Sequence, residues 1–151
     1  MPRIERTARV GWEGSLARGH GSITAGSSGA FIALPYRNAT RIGEPEGQTS
    51  PEELLAAAHG GCFANSLAAE LSGAELPPER IEVACRIVMD EIAGQGHQIV
   101  ASHVRVGATV PRADEAAFAA AVDRADAGCP FSALLKRAGC EVTVAAELAG
   151  G

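Results

Sequence analysis

Aromatic residues are scarce in this chain of 151 residues, at 4% of its composition. A domain with so few aromatic side chains lacks the stacking platforms with which proteins bind single-stranded nucleic acid. The formal net charge of -5 also argues against a phosphate-backbone partner, because such partners are bound by clusters of Lys and Arg. We therefore expect no nucleic-acid partner.

Long apolar runs are missing as well. No stretch approaches the roughly 18 consecutive apolar residues that a membrane-spanning helix needs. Residues 1–6 run straight into charge and lack the apolar stretch of a signal peptide. These absences predict a cytoplasmic protein without a membrane partner.

Cysteine is restricted to four positions, Cys62, Cys85, Cys129 and Cys140. They form no Cys-x-x-Cys pair and no Cys/His cluster, so we expect no metal site, and nothing in the sequence calls for a cofactor. Without a signal peptide, four cysteines indicate reduced or redox-active thiols more than structural disulfides. Cys85 and Cys140 lie in strand patterns and are interpreted as small core residues.

Hydrophobic residues make up 46% of the chain, which is enough for the core of one domain over residues 1–151. Short alternating segments and Gly-rich turns predict a strand meander over residues 1–34. Residues 35–50 are rich in Gly, Pro, Asn, Thr and charge and are interpreted as a loop.

The strongest secondary-structure signal follows this loop. Ser50 as N-cap, Pro51 in the first turn and Glu53 to close a capping box predict a helix start. Residues 51–72 are small and apolar on nearly every side, which is typical of a long buried central helix. Over residues 79–148 the patterns predict two strands, a pair of helices and a last strand. This order indicates an α+β fold with antiparallel sheets around the central helix.

Two cysteines lie on helices. Cys129 comes directly before Pro130 at a helix start, where free N–H groups and partial positive charge stabilise a thiolate. For Cys62, inside the central helix, the local sequence leaves a chemical and a packing role equally open. His59 lies one turn earlier on the same face. It either adjusts the Cys62 thiol or is a structural side chain, and we favour the structural role.

Both cysteine segments resemble one family. Residues 50–63 (SPEELLAAAHGGCF) resemble the central helix of the OsmC/Ohr family, the osmotically inducible protein C and organic hydroperoxide resistance proteins. Residues 127–132 (AGCPFS) resemble its second cysteine motif. The likeness extends to the turn at Trp12 and to residues 19–21 and 35–41, and it favours the OsmC branch. It implies an OsmC-like fold and an intertwined homodimer.

The resemblance implies a thiol-dependent peroxidase of oxidative-stress defence. Cys62 matches the peroxidatic cysteine and Cys129 the resolving one, while Arg41 and Glu52 match the family's site arginine and glutamate. Arg37 competes with Arg41 for the arginine role. The implied substrates are organic hydroperoxides, with hydrogen peroxide also accepted. The implied reductant is a dithiol such as a lipoyl-bearing protein.

The spacing of Glu52 and Cys62 bears on the oligomeric state. The two residues are ten positions apart on one helix, which is about 15 Å along its axis. Glu52 therefore cannot touch Cys62 of its own chain while the helix is continuous. We expect Arg41 and Glu52 to serve the site of a second subunit, in agreement with the implied homodimer.

A second hypothesis gives the same two cysteines to a redox sensor or binding module. Its disulfide between Cys62 and Cys129 would switch a partner interaction without turnover. A third hypothesis is a structural homologue without activity. The presence of all four expected site residues argues against that third hypothesis.

Overall fold

A computed structural model describes residues 2–149. Its contacts divide the chain into two compact units, Met1–Pro51 and Glu52–Gly151. Four helices and six strands lie within the described residues. The assignment of residues 1–151 to one domain stays a prediction.

The first unit is a three-stranded antiparallel sheet followed by one short helix. Its strands β1 (Ala8–Glu13), β2 (His20–Ala25) and β3 (Leu34–Tyr36) lie side by side in chain order. Helix α1 (Asn38–Ile42) comes next. The sequence predicts a meander over residues 1–34, and the third strand extends it to Tyr36.

The prediction that residues 35–50 form a loop is wrong in its first part. Strand β3 continues through Tyr36, and α1 begins two residues later. The Thr40 hydroxyl donates to the Arg37 carbonyl oxygen at 3.1 Å and accepts from the Arg37 N–H at 3.3 Å. Local polar contacts of this kind close a single helical turn without an apolar stripe, and such a stripe is what sequence patterns reveal.

The second unit is a three-stranded sheet with three helices. Its strands β4 (Arg80–Ile92), β5 (Gly96–Thr109) and β6 (Glu141–Leu148) lie in the order β4-β5-β6. The helices are α2 (Pro51–Gly73), α3 (Glu115–Gly128) and α4 (Pro130–Arg137). Helix α2 begins at Pro51, as the capping signal predicts.

The sheets are largely antiparallel, as predicted, and one pair of strands is parallel. Strands β4 and β5 form an antiparallel hairpin, whereas β6 runs parallel to β5. Helices α3 and α4 lie between β5 and β6 in the chain and return it to the end of the sheet where β5 began. A helical crossover of this length is what a parallel pair requires.

The core of the second unit lies between α2, β5 and α3. Helix α2 buries one stripe, His59, Phe63, Leu67 and Leu71, at a spacing of four residues. Alternate residues of β5 face the same core, as their period of two predicts. The core cluster is Phe63, Leu67, Leu71, Val104, Val106, Ala108, Val110, Phe118, Ala121, Val122, Ala125 and Cys129. No helix within residues 2–149 is long and apolar enough to cross a membrane.

Candidate active site

Two glycines precede Cys62 on α2, and they have different surroundings. A Cβ atom added to Gly60 would lie 3.4 Å from Cys85 Cβ and 3.6 Å from Val83 Cγ1, so the helix lies directly on β4 at this point. A Cβ added to Gly61 would meet no atom within 4 Å. Cys62 itself is partly buried beside the core. The close approach of α2 to β4 therefore occurs at Gly60.

Cys129 joins α3 to α4. Its N–H donates to the Ala125 carbonyl oxygen at 2.8 Å, and its own carbonyl oxygen accepts from the Ala133 N–H at 3.0 Å. It is the N-cap of α4, directly before Pro130, as the sequence predicts. The side chain is completely buried in the core of the second unit. Its position is thus set by two helices at once.

The fold brings the thiols of Cys62 and Cys129 together, although the residues are far apart in sequence. The two thiols are near enough for Cys129 to raise the pKa of Cys62, and both are free. The backbone N–H of Phe131, the second residue of α4, lies beside the Cys62 sulfur and lowers its pKa. The Ser66 hydroxyl, one turn further along α2, lowers the same pKa. Two elements of the second unit therefore build the surroundings of Cys62.

The pKa of the Cys62 thiol is raised above its ordinary value of 9.0. Burial is the largest cause, because it disfavours the charged thiolate. The hydrogen bond and the charge of Cys129 raise the pKa further, whereas the Phe131 N–H and the Ser66 hydroxyl lower it. None of these groups is a cation. A positive charge near Cys62 would lower its pKa further and increase the thiolate population at neutral pH.

Arg41 and Glu52 lie on either side of the boundary between the two units. Arg41 is in the last turn of α1, on a helix and not in the loop where it was expected. Glu52 is in the first turn of α2, ten residues before Cys62 on the same continuous helix. Arg37 lies against the side-chain amide of Gln48 within the first unit. The roles of Arg41, Glu52 and Arg37 stay predictions.

Arg41 borders a surface pocket of the first unit. The pocket has a volume of about 290 Å³. Two of its aromatic side chains, Trp12 and Tyr36, lie 5.5 Å apart between ring centroids. The lining residues are Trp12, Leu16, Tyr36, Asn38 and Arg41. A guanidinium thus stands beside an apolar concavity.

His59 is the centre of a buried polar cluster. Its Nδ1 lies 2.7 Å from Ser102 Oγ and its Nε2 lies 2.8 Å from Ser132 Oγ. All three residues are completely buried. Cys85 Sγ joins them, 3.3 Å from the Ser102 hydroxyl. Burial lowers the pKa of His59, with a smaller opposing effect of Asp126, so the ring is neutral at neutral pH. This arrangement agrees with the structural role favoured from the sequence.

The sequence did not predict the groups that surround the Cys62 thiol and the His59 ring. Ser66 stands four residues after Cys62, the spacing that places two side chains on one helix face. Ser102 interrupts a row of valines on the buried face of β5, which signals a buried partner. The only sequence signal for the Phe131 N–H is the position of Phe131 at the start of α4.

Metal binding finds no support in the geometry. Within residues 2–149, no group of three His, Cys, Asp or Glu side chains is arranged to hold a metal ion.

Comparison with known proteins gives concordant results. A family model described as OsmC-like protein matches residues 43–145. The chain is 33% identical over 145 residues to Peroxiredoxin OsmC of Escherichia coli (strain K12), covering 96% of this chain and 97% of that relative.

Solved structures share the fold at low sequence identity. An OsmC-like protein of unknown function from Vibrio cholerae has a TM-score of 0.76 at 12% identity, over 96% of this chain and 100% of that one. An organic hydroperoxide resistance protein from Elizabethkingia anophelis has a TM-score of 0.69 at 21% identity, over 97% and 100% of the two chains. The resemblance seen in the two cysteine motifs is confirmed, and the chain belongs to the OsmC-like protein family.

Proposed function

We propose that this protein is a thiol-dependent peroxidase that reduces organic hydroperoxides, and also hydrogen peroxide, in oxidative-stress defence. The observation that carries the proposal is the proximity of the partly buried Cys62 thiol to the buried Cys129 thiol, which belongs to the cluster that Cys62 packs against and raises the pKa of Cys62. A family relative in Escherichia coli is named a peroxiredoxin, which supports the same chemistry. We expect the protein to act in the cytoplasm, where reductants keep thiols free.

In the first step, the Cys62 thiolate attacks one peroxide oxygen. The S–O bond forms, the O–O bond breaks, and the leaving alkoxide takes up a proton to become an alcohol, or water from hydrogen peroxide. Sulfur loses two electrons to the peroxide and becomes a sulfenic acid. The Phe131 N–H and the Ser66 hydroxyl stabilise the thiolate that starts this step.

In the second step, Cys129 condenses with the sulfenic acid. The Cys129 sulfur displaces the hydroxyl group as water, and a disulfide forms between the two residues. The proximity of these thiols supports the step, because a resolving cysteine must reach the sulfenic acid before a second peroxide does. An external dithiol, such as a lipoyl-bearing protein, then reduces the disulfide by thiol exchange.

A homodimer would supply the positive charge that Cys62 lacks. In the proposed dimer, Arg41 of one chain stabilises the thiolate of its partner, and Glu52 holds that guanidinium through a carboxylate pair. The raised pKa of Cys62 supports the need for a cation. The exposed apolar residues of α2, among them Ala57 and Ala69, support a second chain on that helix, because small apolar side chains are left uncovered.

The pocket beside Arg41 supports organic hydroperoxides as substrates. Its aromatic and aliphatic lining would accept an apolar substituent while the guanidinium faces the peroxide group. Its position also supports Arg41 over Arg37 as the site arginine, since Arg37 lies against Gln48.

The test is peroxide consumption with dithiothreitol, using cumene hydroperoxide and hydrogen peroxide. We expect Cys62→Ser to be inactive, and Cys129→Ser to react once and then over-oxidise. Cys140→Ser is the control, because Cys140 is also buried but donates to the Ile99 carbonyl oxygen at 3.0 Å, a bond that serine keeps. If the unaltered protein consumes neither peroxide, the enzyme proposal fails and the redox-sensor hypothesis replaces it.

Shared sites are tested by mixing two inactive variants. A dimer of one Cys62→Ser chain and one Arg41→Gln chain contains one site with both residues intact, if Arg41 serves its partner. Random mixing should then restore about a quarter of the original activity, because half of the dimers are mixed and each has one good site. Failure to regain activity in mixed dimers, or a monomer mass by light scattering with activity intact, would contradict the shared site.

A further inference from the structure

We propose that His59 is a positioning residue: its two hydrogen bonds hold the first turn of α4 against α2 and β5, so that the Phe131 N–H stays directed at the Cys62 sulfur. The importance of this role for turnover rests on the proposed peroxidase function. Its direct consequence, the reactivity of the Cys62 thiol, can be measured without any peroxide.

The His59 ring bridges three elements. It belongs to α2, it contacts Ser102 on β5, and it contacts Ser132 in the first turn of α4. Ser132 directly follows Phe131, whose N–H favours the Cys62 thiolate. The contact at Nε2 therefore acts one residue away from a group that stabilises the thiolate.

Helix α4 needs such an anchor. It has eight residues, and helices this short are not stable in isolation. Its N-cap, Cys129, makes no capping hydrogen bond with its side chain. The position of its first turn must therefore come from tertiary contacts, of which the buried bond from Ser132 to His59 is one.

A direct acid–base role for His59 conflicts with its contacts. Both ring nitrogens are occupied by serine hydroxyls at 2.7 and 2.8 Å, so neither is directed at the Cys62 sulfur. The lowered pKa of His59 means a neutral ring at neutral pH, which supplies no positive charge to a thiolate. A neutral imidazole donates at one nitrogen and accepts at the other, and each serine hydroxyl can complement either nitrogen.

Two substitutions separate the two hydrogen bonds of the ring. The side-chain amide of His59→Gln reaches the position of Nε2 and keeps a partner for Ser132. The shorter amide of His59→Asn reaches the position of Nδ1 and keeps a partner for Ser102. Each variant loses one bond to a buried serine, so their stabilities should fall by similar amounts, which thermal denaturation checks.

The readout is the rate at which iodoacetamide alkylates Cys62 at neutral pH, followed by mass spectrometry of the peptide that carries it. We expect His59→Asn to react at least about threefold more slowly than His59→Gln, because a displaced Phe131 N–H no longer stabilises the thiolate. Equal rates in the two variants would overturn the proposal.

Single-atom deletions keep the test valid if the His59 variants fold poorly. Ser132→Ala should slow alkylation of Cys62, and Ser102→Ala should slow it much less. Combining Ser132→Ala with His59→Asn should add little to either, since both remove the same contact. An unchanged rate in Ser132→Ala would equally overturn the proposal.

His103→Gln is the matched control. His103 lies on β5, next to Ser102, and its Nδ1 lies 2.6 Å from a hydroxyl oxygen, Thr143 Oγ1. His103→Gln removes this contact and should leave the alkylation rate of Cys62 unchanged. A slowing as large as that of His59→Asn would count against a specific role for His59. If the protein consumes no peroxide but the alkylation pattern holds, the peroxidase function fails while the positioning role stands.

Discussion

Replacing the resolving cysteine should make Cys62 more reactive towards an alkylating reagent. Cys129 raises the pKa of Cys62 in two ways, by accepting a hydrogen bond from the protonated thiol and by its charge when ionised. In Cys129→Ser neither effect remains, because a serine hydroxyl does not ionise in this range and can donate to the thiolate instead. Ser66→Ala is the opposite change, since the hydroxyl that it removes lowers the same pKa.

The magnitude follows from two opposing effects. A hydrogen bond to a charged group contributes about 1.5–3 kcal/mol, and the lower value applies here because Cys62 is partly exposed. That value changes the thiolate population at neutral pH about tenfold. A thiolate of lower pKa is, however, less nucleophilic, with a slope of about 0.4–0.5. We therefore expect Cys129→Ser to react about threefold faster than the unaltered protein, and Ser66→Ala about threefold more slowly.

The assay is alkylation by iodoacetamide, followed at the peptide that carries Cys62, so that Cys85 and Cys140 need no replacement. At pH values above the raised pKa the order should reverse, because every variant is then fully ionised and the Cys129→Ser thiolate is the weaker nucleophile. If Cys129→Ser is slower than the unaltered protein at neutral pH, the interaction of the two thiols does not control ionisation as inferred here.

Three further predictions concern stability. Because the pKa of His59 is lowered in the folded protein, its contribution to the free energy of unfolding is fully present above pH 6.5 and is lost as the pH falls below that value. In urea denaturation at a series of pH values, the free energy of unfolding of His59→Gln should therefore fall less steeply towards acid pH. Leu67→Ala should lower the free energy of unfolding by about 3–5 kcal/mol because Leu67 is 0% exposed, whereas Leu134→Ala, at a 57% exposed site, should change it by less than about 1 kcal/mol. Gly61→Ala should raise it by up to about 1 kcal/mol, since the new methyl group would meet no atom of residues 2–149 within 4 Å beyond its own helix, and a decrease in the dimer would show that a second chain packs there.

Features encoded within a few residues were predictable from the sequence. The start of α2 at Pro51 rests on a cap, a proline and a glutamate within four positions, and the structure begins the helix there. The alternation of β5 likewise predicts its buried face through Val104 and Val106. In both cases the local pattern and the tertiary burial agree.

Features that depend on distant chain segments were not predictable in the same way. Helix α1 is closed by the contacts between Thr40 and Arg37, and it is too short to show a period. The parallel pairing of β6 depends on the path of α3 and α4, because strand patterns are the same for both directions of pairing. The helix pair α3 and α4 between β5 and β6 is the sequence feature that indicates a crossover connection and hence a parallel pair.

The chemistry of Cys62 is also a property of the folded chain and not of its own helix. Read within α2, Cys62 is a small side chain among alanines and glycines, and burial alone would make it an unreactive thiol. The groups that favour its thiolate are the Ser66 hydroxyl, one turn away, and the Phe131 N–H, which arrives from α4. The same first turn of α4 carries Cys129 at its start. A displacement of α4 would therefore alter the ionisation of one cysteine and the reach of the other together, so both steps of the proposed reaction depend on where this short helix begins.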